Sequence, residues 1–188
     1  MNAGKSTALL QAAHNYEERG MTVRLFTAAL DDRDGKGLIA SRLGMRREAE
    51  TFGPDTQFLR SHFGDDTACV LIDEAQFLTP AQVRQLHRLA HVDGLPVICY
   101  GLRSDFRAEA FPGAAALLTL ADDIEEMKSI CACGRKATFN LRLDGHGRRV
   151  REGEQVVIGG NERYRAVCPA CFYADDAIEP DDAPGLFA

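Results

Sequence analysis

The chain has no tryptophan among its 188 residues, and aromatic side chains make up only 7% of it. It has no apolar run of the roughly 20 residues that a membrane-spanning helix needs. Its first residues show no basic segment followed by an apolar stretch, so the pattern of a secretory signal is not seen. Positive charge is scarce. Twenty-two Lys and Arg stand against 28 Asp and Glu, leaving a net charge of −6. The basic residues form no long patch, which argues against the electrostatic footprint of a DNA- or RNA-binding protein. The five histidines, His14, His62, His87, His91 and His146, suggest no metal-ligand spacing. What is present is a hydrophobic share of 45%, enough for one buried core with room for a small appendage. Six cysteines could suggest disulfides. Four of them cluster in two close pairs, which favours metal in a reducing cytoplasm. Cys69 and Cys99 lie in apolar runs of strand length and read as core residues.

The first stretch, Met1-Asn2-Ala3-Gly4-Lys5-Ser6-Thr7, runs directly into a helical pattern of Leu9, Leu10, Ala13 and Tyr16. Gly-Lys-Ser-Thr before a helix is the back half of a phosphate-binding loop. There the lysine reaches the outer phosphates, the first hydroxyl binds Mg²⁺, and the helix N-terminus supplies a positive dipole end. Taken alone, an ordinary helix start explains the same residues. Gly20 is a natural stop, and Thr22 to Thr27 alternates as a strand should. That strand leads to Asp31-Asp32-Arg33-Asp34-Gly35, either a solvated turn or a ligand loop. The order loop, helix, strand opens a doubly wound α/β domain, in which ligands bind beyond the carboxyl ends of the strands. Residues 41–67 have no clean period; a short strand and a helix are expected there.

Cys69-Val70-Leu71-Ile72 then Asp73-Glu74-Ala75-Gln76-Phe77 is a buried strand ending in an acidic pair. A phosphate loop needs such a partner: one carboxylate helps hold Mg²⁺ through its waters, and the other can take a proton from a nucleophile. Thr79-Pro80 opens a helix with Thr79 as cap, and Pro96 to Tyr100 is a further buried strand. Phe106 and Phe111 follow in a loop at the ligand edge. Core packing is the default for either, and stacking on a base is the alternative.

Cys131-Ala132-Cys133 and Cys168-Pro169-Ala170-Cys171 have the spacing of a four-thiolate structural zinc site, though the first pair is tighter than usual. The alternating runs Thr138 to Leu143 and Gln155 to Ile158, separated by the loop Asp144 to Gly153, predict a hairpin pinned by that metal. Gly159-Gly160 permits close backbone approach to a ligand, and a plain turn explains it equally well. The acidic, proline-containing tail from Asp175 is expected to be disordered.

With these segments together, the chain resembles the zinc-containing, second structural type of thymidine kinase, found in bacteria and the animal cytosol. The resemblance rests on Met1 to Thr7, Asp31-Asp32-Arg33, Asp73 to Phe77 and Tyr100 to Phe106. It also rests on Cys131 to Ala137 and on Val156-Val157-Ile158-Gly159-Gly160-Asn161-Glu162-Arg163-Tyr164, and it extends to about Tyr173. In some bacterial members histidine is the fourth metal ligand; here Cys171 stands in that place. The resemblance implies a P-loop, RecA-like parallel sheet domain over 1–128, a zinc-ribbon domain carrying a lasso loop over 129–174, and an acidic tail over 175–188. It implies transfer of the γ-phosphoryl of ATP to the 5′-hydroxyl of thymidine. Glu74 would be the general base, and the ATP and Mg²⁺ contacts would come from Met1, Asn2, Ala3, Gly4, Lys5, Ser6, Thr7, Asp32, Arg33, Asp73, Glu74, Ala75 and Gln76. Phe106, Phe111, Gln155, Val156, Val157, Ile158, Gly159 and Tyr164 would surround the nucleoside. Cys131, Cys133, Cys168 and Cys171 would hold structural Zn²⁺. A cytoplasmic homotetramer, inhibited by thymidine triphosphate, is the family expectation.

Two other classes fit parts of the pattern. A phosphate loop, Asp-Glu-Ala-Gln and a zinc ribbon also occur in nucleic-acid-stimulated ATPases; the negative charge and short chain weigh against that. A non-enzymatic zinc-ribbon module would leave Lys5 and Glu74 without a role. By resemblance, the start of the phosphate loop and the first strand of the sheet fall before Met1. Met1 is then expected to be an internal methionine. The alternative is that the chain as written is real and inactive, or folds poorly, because an interior strand of the sheet would be absent.

Overall fold

The structure, a computed structural model, describes residues 3–31, 35–41, 43–157, 159 and 162–174. The tail from Asp175 lies outside them. The chain divides into two compact units. One comprises Gly4–Arg103 and Ala110–Glu125; the other comprises Ser104–Glu109 and the chain from Glu126 onward.

The first unit is α/β. Helix α1 (Lys5–Glu17) leads through Gly20, at φ 73°, into strand β1 (Thr22–Ala28). Strands β2 (Leu38–Ala40) and β3 (Arg46–Glu48) form a small antiparallel pair. Strand β4 (Glu50–Phe52) then joins β1 in parallel. Strand β5 (Thr67–Ile72), helix α2 (Pro80–His91), strand β6 (Val97–Cys99) and helix α3 (Pro112–Leu120) follow. The central sheet has the order β4-β1-β5-β6, and every pairing in it is parallel. Parallel strands are covered on both faces, so their side chains divide by parity between two cores. Leu25, Cys69 and Leu71 pack with Leu9, Leu10 and Ala13 of α1 and with Ile39. Phe26, Val70 and Ile72 pack on the opposite side with Val83, Leu86 and Leu89 of α2, and Leu117 of α3 packs against that cluster. Burial pushes the Cys99 thiol up to about 12 and raises that of Cys69, so both sulfurs are inert core groups.

Helix α2 starts where the sequence places it. Thr79 Oγ1 accepts from Gln82 N at 3.2 Å, and Thr79 N donates to Gln82 Oε1 at 2.8 Å, with Pro80 at the first helical position. The buried Gln82 amide also donates to the carbonyls of Gly53 at 2.7 Å and Thr56 at 2.9 Å. One side chain thus caps the helix and fastens the preceding loop.

Among the described residues of 41–67 there is no α-helix, contrary to expectation. Strands β3 and β4 and a single 3₁₀ turn at Arg60–His62 occupy that stretch. Its order comes from aromatic anchors: Phe58 meets Phe26 at 5.4 Å and Phe52 at 6.2 Å, and Phe63 meets Phe26 at 6.1 Å, all edge-on. Anchors inserted from irregular backbone leave no period to read.

The second unit is a small antiparallel β structure. Strands β7 (Ser129–Ile130) and β8 (Lys136–Ala137) pair around the first cysteine turn. Strand β9 (Phe139–Leu143) lies between β10 (Arg149–Val150) and β11 (Tyr164–Val167), and helix α4 (Pro169–Tyr173) ends the described chain. Phe139 and Phe172 stack at 4.5 Å, and the Arg149 guanidinium covers Phe172 at 4.4 Å. The hairpin predicted from 138–143 to 155–158 is not the one formed. Leu143 pairs with Arg149 on one side, and Arg142 with Tyr164 on the other, so both edges of β9 are taken. Gln155, Val156 and Val157 carry no strand, and Ile158 lies outside the described residues.

Candidate functional site

Gly4, Lys5 and Ser6 lie at the carboxyl end of the sheet. Gly4 adopts a left-handed conformation, φ 76° and ψ 20°, which L side chains avoid, and from it α1 begins with Lys5 and Ser6. Ser6 Oγ donates to Asp73 Oδ2 at 2.8 Å. Asp73 follows β5 directly, is only 4% exposed, and also accepts from the Glu74 amide at 2.9 Å through Oδ1. Burial, then the charge of Glu74, raises the Asp73 carboxyl to about 6, although Ser6 and Lys5 pull it down.

Glu74 is one of two described non-glycine residues with positive φ, at φ 52° and ψ 38°. That conformation costs about 1–2 kcal/mol for an L residue. It is held by the turn around it. Glu74 Oε2 accepts from Gln76 Nε2 at 2.6 Å, Gln76 Oε1 accepts from the Leu102 amide at 3.0 Å, and the Ala75 amide donates to the Tyr100 carbonyl at 2.9 Å. A side chain at Gly101 would crowd that turn, because its Cβ would come 3.0 Å from the Gln76 nitrogen and from Gln76 Oε1. A buried carboxylate against a hydroxyl at a helix N-terminus suits Mg²⁺ with nucleotide phosphates, which take oxygen donors and retain waters.

In the second unit, Cys131, Cys133, Cys168 and Cys171 bring their sulfurs within 4.8 Å of one another. Tetrahedral Zn–S bonds of about 2.3 Å put sulfurs about 3.8 Å apart, so the cluster is compatible with zinc. The Cys131 amide donates to the Arg135 carbonyl and the Gly134 amide to the Cys131 carbonyl, both at 2.8 Å, folding the tight first pair into a turn. Cys168 caps α4, accepting from the Cys171 amide at 3.5 Å. Hydrogen bonds from the Arg135 backbone and side chain lower the Cys133 thiol to about 6, a thiolate at neutral pH. Cys171, hydrogen-bonded to Cys133 and Cys168, is pushed up to about 12.

A family model described as "Thymidine kinase" matches residues 1–172. A thymidine kinase of Albidiferax ferrireducens is 65% identical over 181 residues, spanning 96% of this chain and 92% of its own length. One from Chromobacterium violaceum is 61% identical over 175 residues, 93% of this chain and 95% of its own. One from Rhizobium meliloti is 53% identical over 174 residues, 89% of each. The chain belongs to the thymidine kinase family.

Of the residues that the family resemblance singles out, Met1, Asn2, Asp32, Arg33 and Ile158 lie outside the described residues. Gly4, Lys5, Ser6, Asp73, Glu74, Ala75 and Gln76 come together as described, and Thr7 continues α1. Ala3 is half-buried. Phe111 is buried edge-on to Phe77 at 5.8 Å in the first unit. Phe106 is buried in the second, beneath the guanidinium of Arg142. Tyr164 donates its hydroxyl to the Val157 carbonyl at 2.7 Å, and Gln155 donates to Asp105 Oδ2 at 3.2 Å.

Sequence reasoning missed Asp105 and Arg142, both nearly fully buried. For Arg142 the available signal was a charged residue set between two leucines, Leu141-Arg142-Leu143. It also gave the histidines no metal spacing. His87 and His91 stand one turn apart on α2, rings 4.4 Å apart, and gather with Asp122 within 4.8 Å. Helical spacing of four was the sign overlooked; His91 Nε2 and Asp122 Oδ2 are 3.0 Å apart.

Proposed function

We propose that this protein phosphorylates thymidine at its 5′-hydroxyl with ATP, giving thymidine monophosphate and ADP. The observation that carries the proposal is the Ser6–Asp73 hydrogen bond, which joins the phosphate loop to the acidic strand end in a chain of this family. Lys5 reaches the outer phosphates, and the N-terminus of α1 faces them with its amides. Met1, Asn2, Ala3, Thr7, Asp32 and Arg33 complete the nucleotide contacts. Asp73 and Ser6 would hold Mg²⁺, which would offset the charge of the nucleotide phosphates. The Glu74 carboxylate accepts the proton of the 5′-hydroxyl while the oxygen–phosphorus bond forms and the bond from the γ-phosphorus to the β,γ-bridging oxygen breaks. Gln76, bonded to Glu74, keeps that carboxylate oriented.

Phe106, Phe111, Gln155 to Gly159 and Tyr164 bind the nucleoside, with backbone groups of 155–159 matching the pyrimidine edge at little entropic cost. The four cysteines hold a structural zinc ion and with it both ends of the intervening segment, the lasso. The RecA-like and zinc-ribbon assignments, a cytoplasmic homotetramer and feedback inhibition by thymidine triphosphate belong to the same reading.

A phosphate-transfer assay over a nucleoside panel tests it, with Glu74→Gln alongside. Thymidine should be the preferred acceptor, and the variant should lose about a hundredfold or more in turnover while still binding ATP. ATP turnover stimulated by DNA and indifferent to nucleosides would overturn the proposal.

A further inference from the structure

Among the described residues, the proposed function leaves one buried cation unused. Arg142, on β9, is 6% exposed, yet its hydrogen bonds go to main-chain carbonyls. Nη1 donates to the Glu154 carbonyl at 2.6 Å and Nη2 to the Glu152 carbonyl at 2.9 Å. Its guanidinium carbon lies 3.7 Å from the centre of the Phe106 ring. One planar group therefore holds the two carbonyls flanking Gly153 and covers an aromatic face. Arginine alone among side chains has a rigid fork of donors and a weakly hydrated face that can do both.

The loop is shaped to receive it. Gly153 has φ 118°, and a Cβ there would stand 2.7 Å from Arg142 Nη2. Immediately beyond, Gln155 Nε2 donates to Asp105 Oδ2 at 3.2 Å. Asp105, also buried, is itself fixed by the amides of Arg107 at 2.8 Å and Glu109 at 2.9 Å. Two residues later the Val157 carbonyl accepts from Tyr164. The stretch from Glu152 to Val157, which carries no regular secondary structure, is thus held at successive points. Two of those points and Phe106 depend on Arg142.

We infer that Arg142 is a positioning residue for the nucleoside: it presets Gln155–Val157 and the Phe106 ring before thymidine arrives. This rests on the reading that 155–159 meets the nucleoside. Affinity then comes from a segment ordered in advance, so loss of the clamp appears in nucleoside binding and not in ATP binding.

The test uses the full-length protein with Arg142→Met, Arg142→Lys and, as a milder route to the same disruption, Gly153→Ala. Steady-state kinetics and amide hydrogen exchange are measured on each. Arg142→Met should raise KM for thymidine by about tenfold to a hundredfold, as expected from the loss of two charge-assisted hydrogen bonds and a stacked face, and leave KM for ATP unchanged. Exchange at 152–157 should quicken without nucleoside, while zinc content stays as in the unaltered protein. Lysine, which cannot bridge both carbonyls and cover the ring, should restore only part of the loss. Gly153→Ala should give the same split between the two KM values.

Equal rises in both KM values, or a lysine variant equal to the parent, would overturn the positioning role. The two layers separate by exchange in the unaltered protein. No protection of Gln155–Val157 by thymidine overturns the reading that this segment meets the nucleoside. Protection there, with unchanged exchange in Arg142→Met and in Gly153→Ala, overturns the clamp alone.

Discussion

Asp73→Asn is expected to make the ligand-free protein more stable at neutral pH while disabling it as an enzyme. The Asp73 carboxyl is raised from its ordinary value of 3.8 to about 6, chiefly by burial and next by Glu74. Between about pH 4 and pH 6 the folded state holds a proton there that the unfolded chain has released, so stability falls as pH rises through that window. Two units correspond to about 3 kcal/mol lost by pH 7, an upper figure because the site relaxes and admits water. Asparagine removes the charge. Its amide oxygen can keep one of the two bonds, from Ser6 or from the Glu74 amide, and its NH₂ can donate to the Ser6 hydroxyl. A net gain of about 1–2 kcal/mol remains, or several degrees in Tm for a chain of this size. Thermal unfolding is followed from pH 4.5 to 8 without nucleotide or added Mg²⁺. The variant should match the parent near pH 4.5 and exceed it above pH 6. With Mg²⁺ and ATP the order should reverse, because the carboxylate is then wanted. A variant less stable than the parent at pH 8, or a difference independent of pH, would refute the argument.

Metal analysis of the parent should find close to one zinc per chain, and Cys168→Ser should lose it and weaken thymidine binding more than ATP binding. Metal-free protein with full activity would contradict this. Gly113→Ala should destabilise the first unit by about 2–3 kcal/mol, since a Cβ at 113 would stand 2.2 Å from the Leu78 carbonyl oxygen and 2.8 Å from that of Gln76. Chemical denaturation reads the loss. Turnover should fall too, because the displaced backbone is the turn that follows Glu74.

The elements that the sequence declared were those governed by local rules. The apolar run ending in Asp73-Glu74 is a strand buried on both faces, and Thr79-Pro80 with Gln82 is a complete capping box. The cysteine pairs likewise announce a thiol cluster. What could not be read depends on distant partners. Phe58 and Phe63 find their places by meeting Phe26, and Phe52 by meeting Phe58, without any period in their own stretch. The strand expected at Gln155 loses to Arg149–Val150 and Tyr164–Val167 because pairing along β9 is a competition that no segment settles alone. The buried positions of Asp105 and Arg142 are visible only once the backbone carbonyls and amides that satisfy them have been brought near.

Glu74 stands in a backbone conformation that glycine, asparagine and aspartate accept more readily than glutamate. Selection acting on stability alone would drift this position toward glycine, and the drift would be downhill by about 1 kcal/mol. The carboxylate proposed as the general base stands against that slope. On that proposed role, stability and chemistry pull in opposite directions at position 74, and sequences that have given up the reaction should show glycine or asparagine there first.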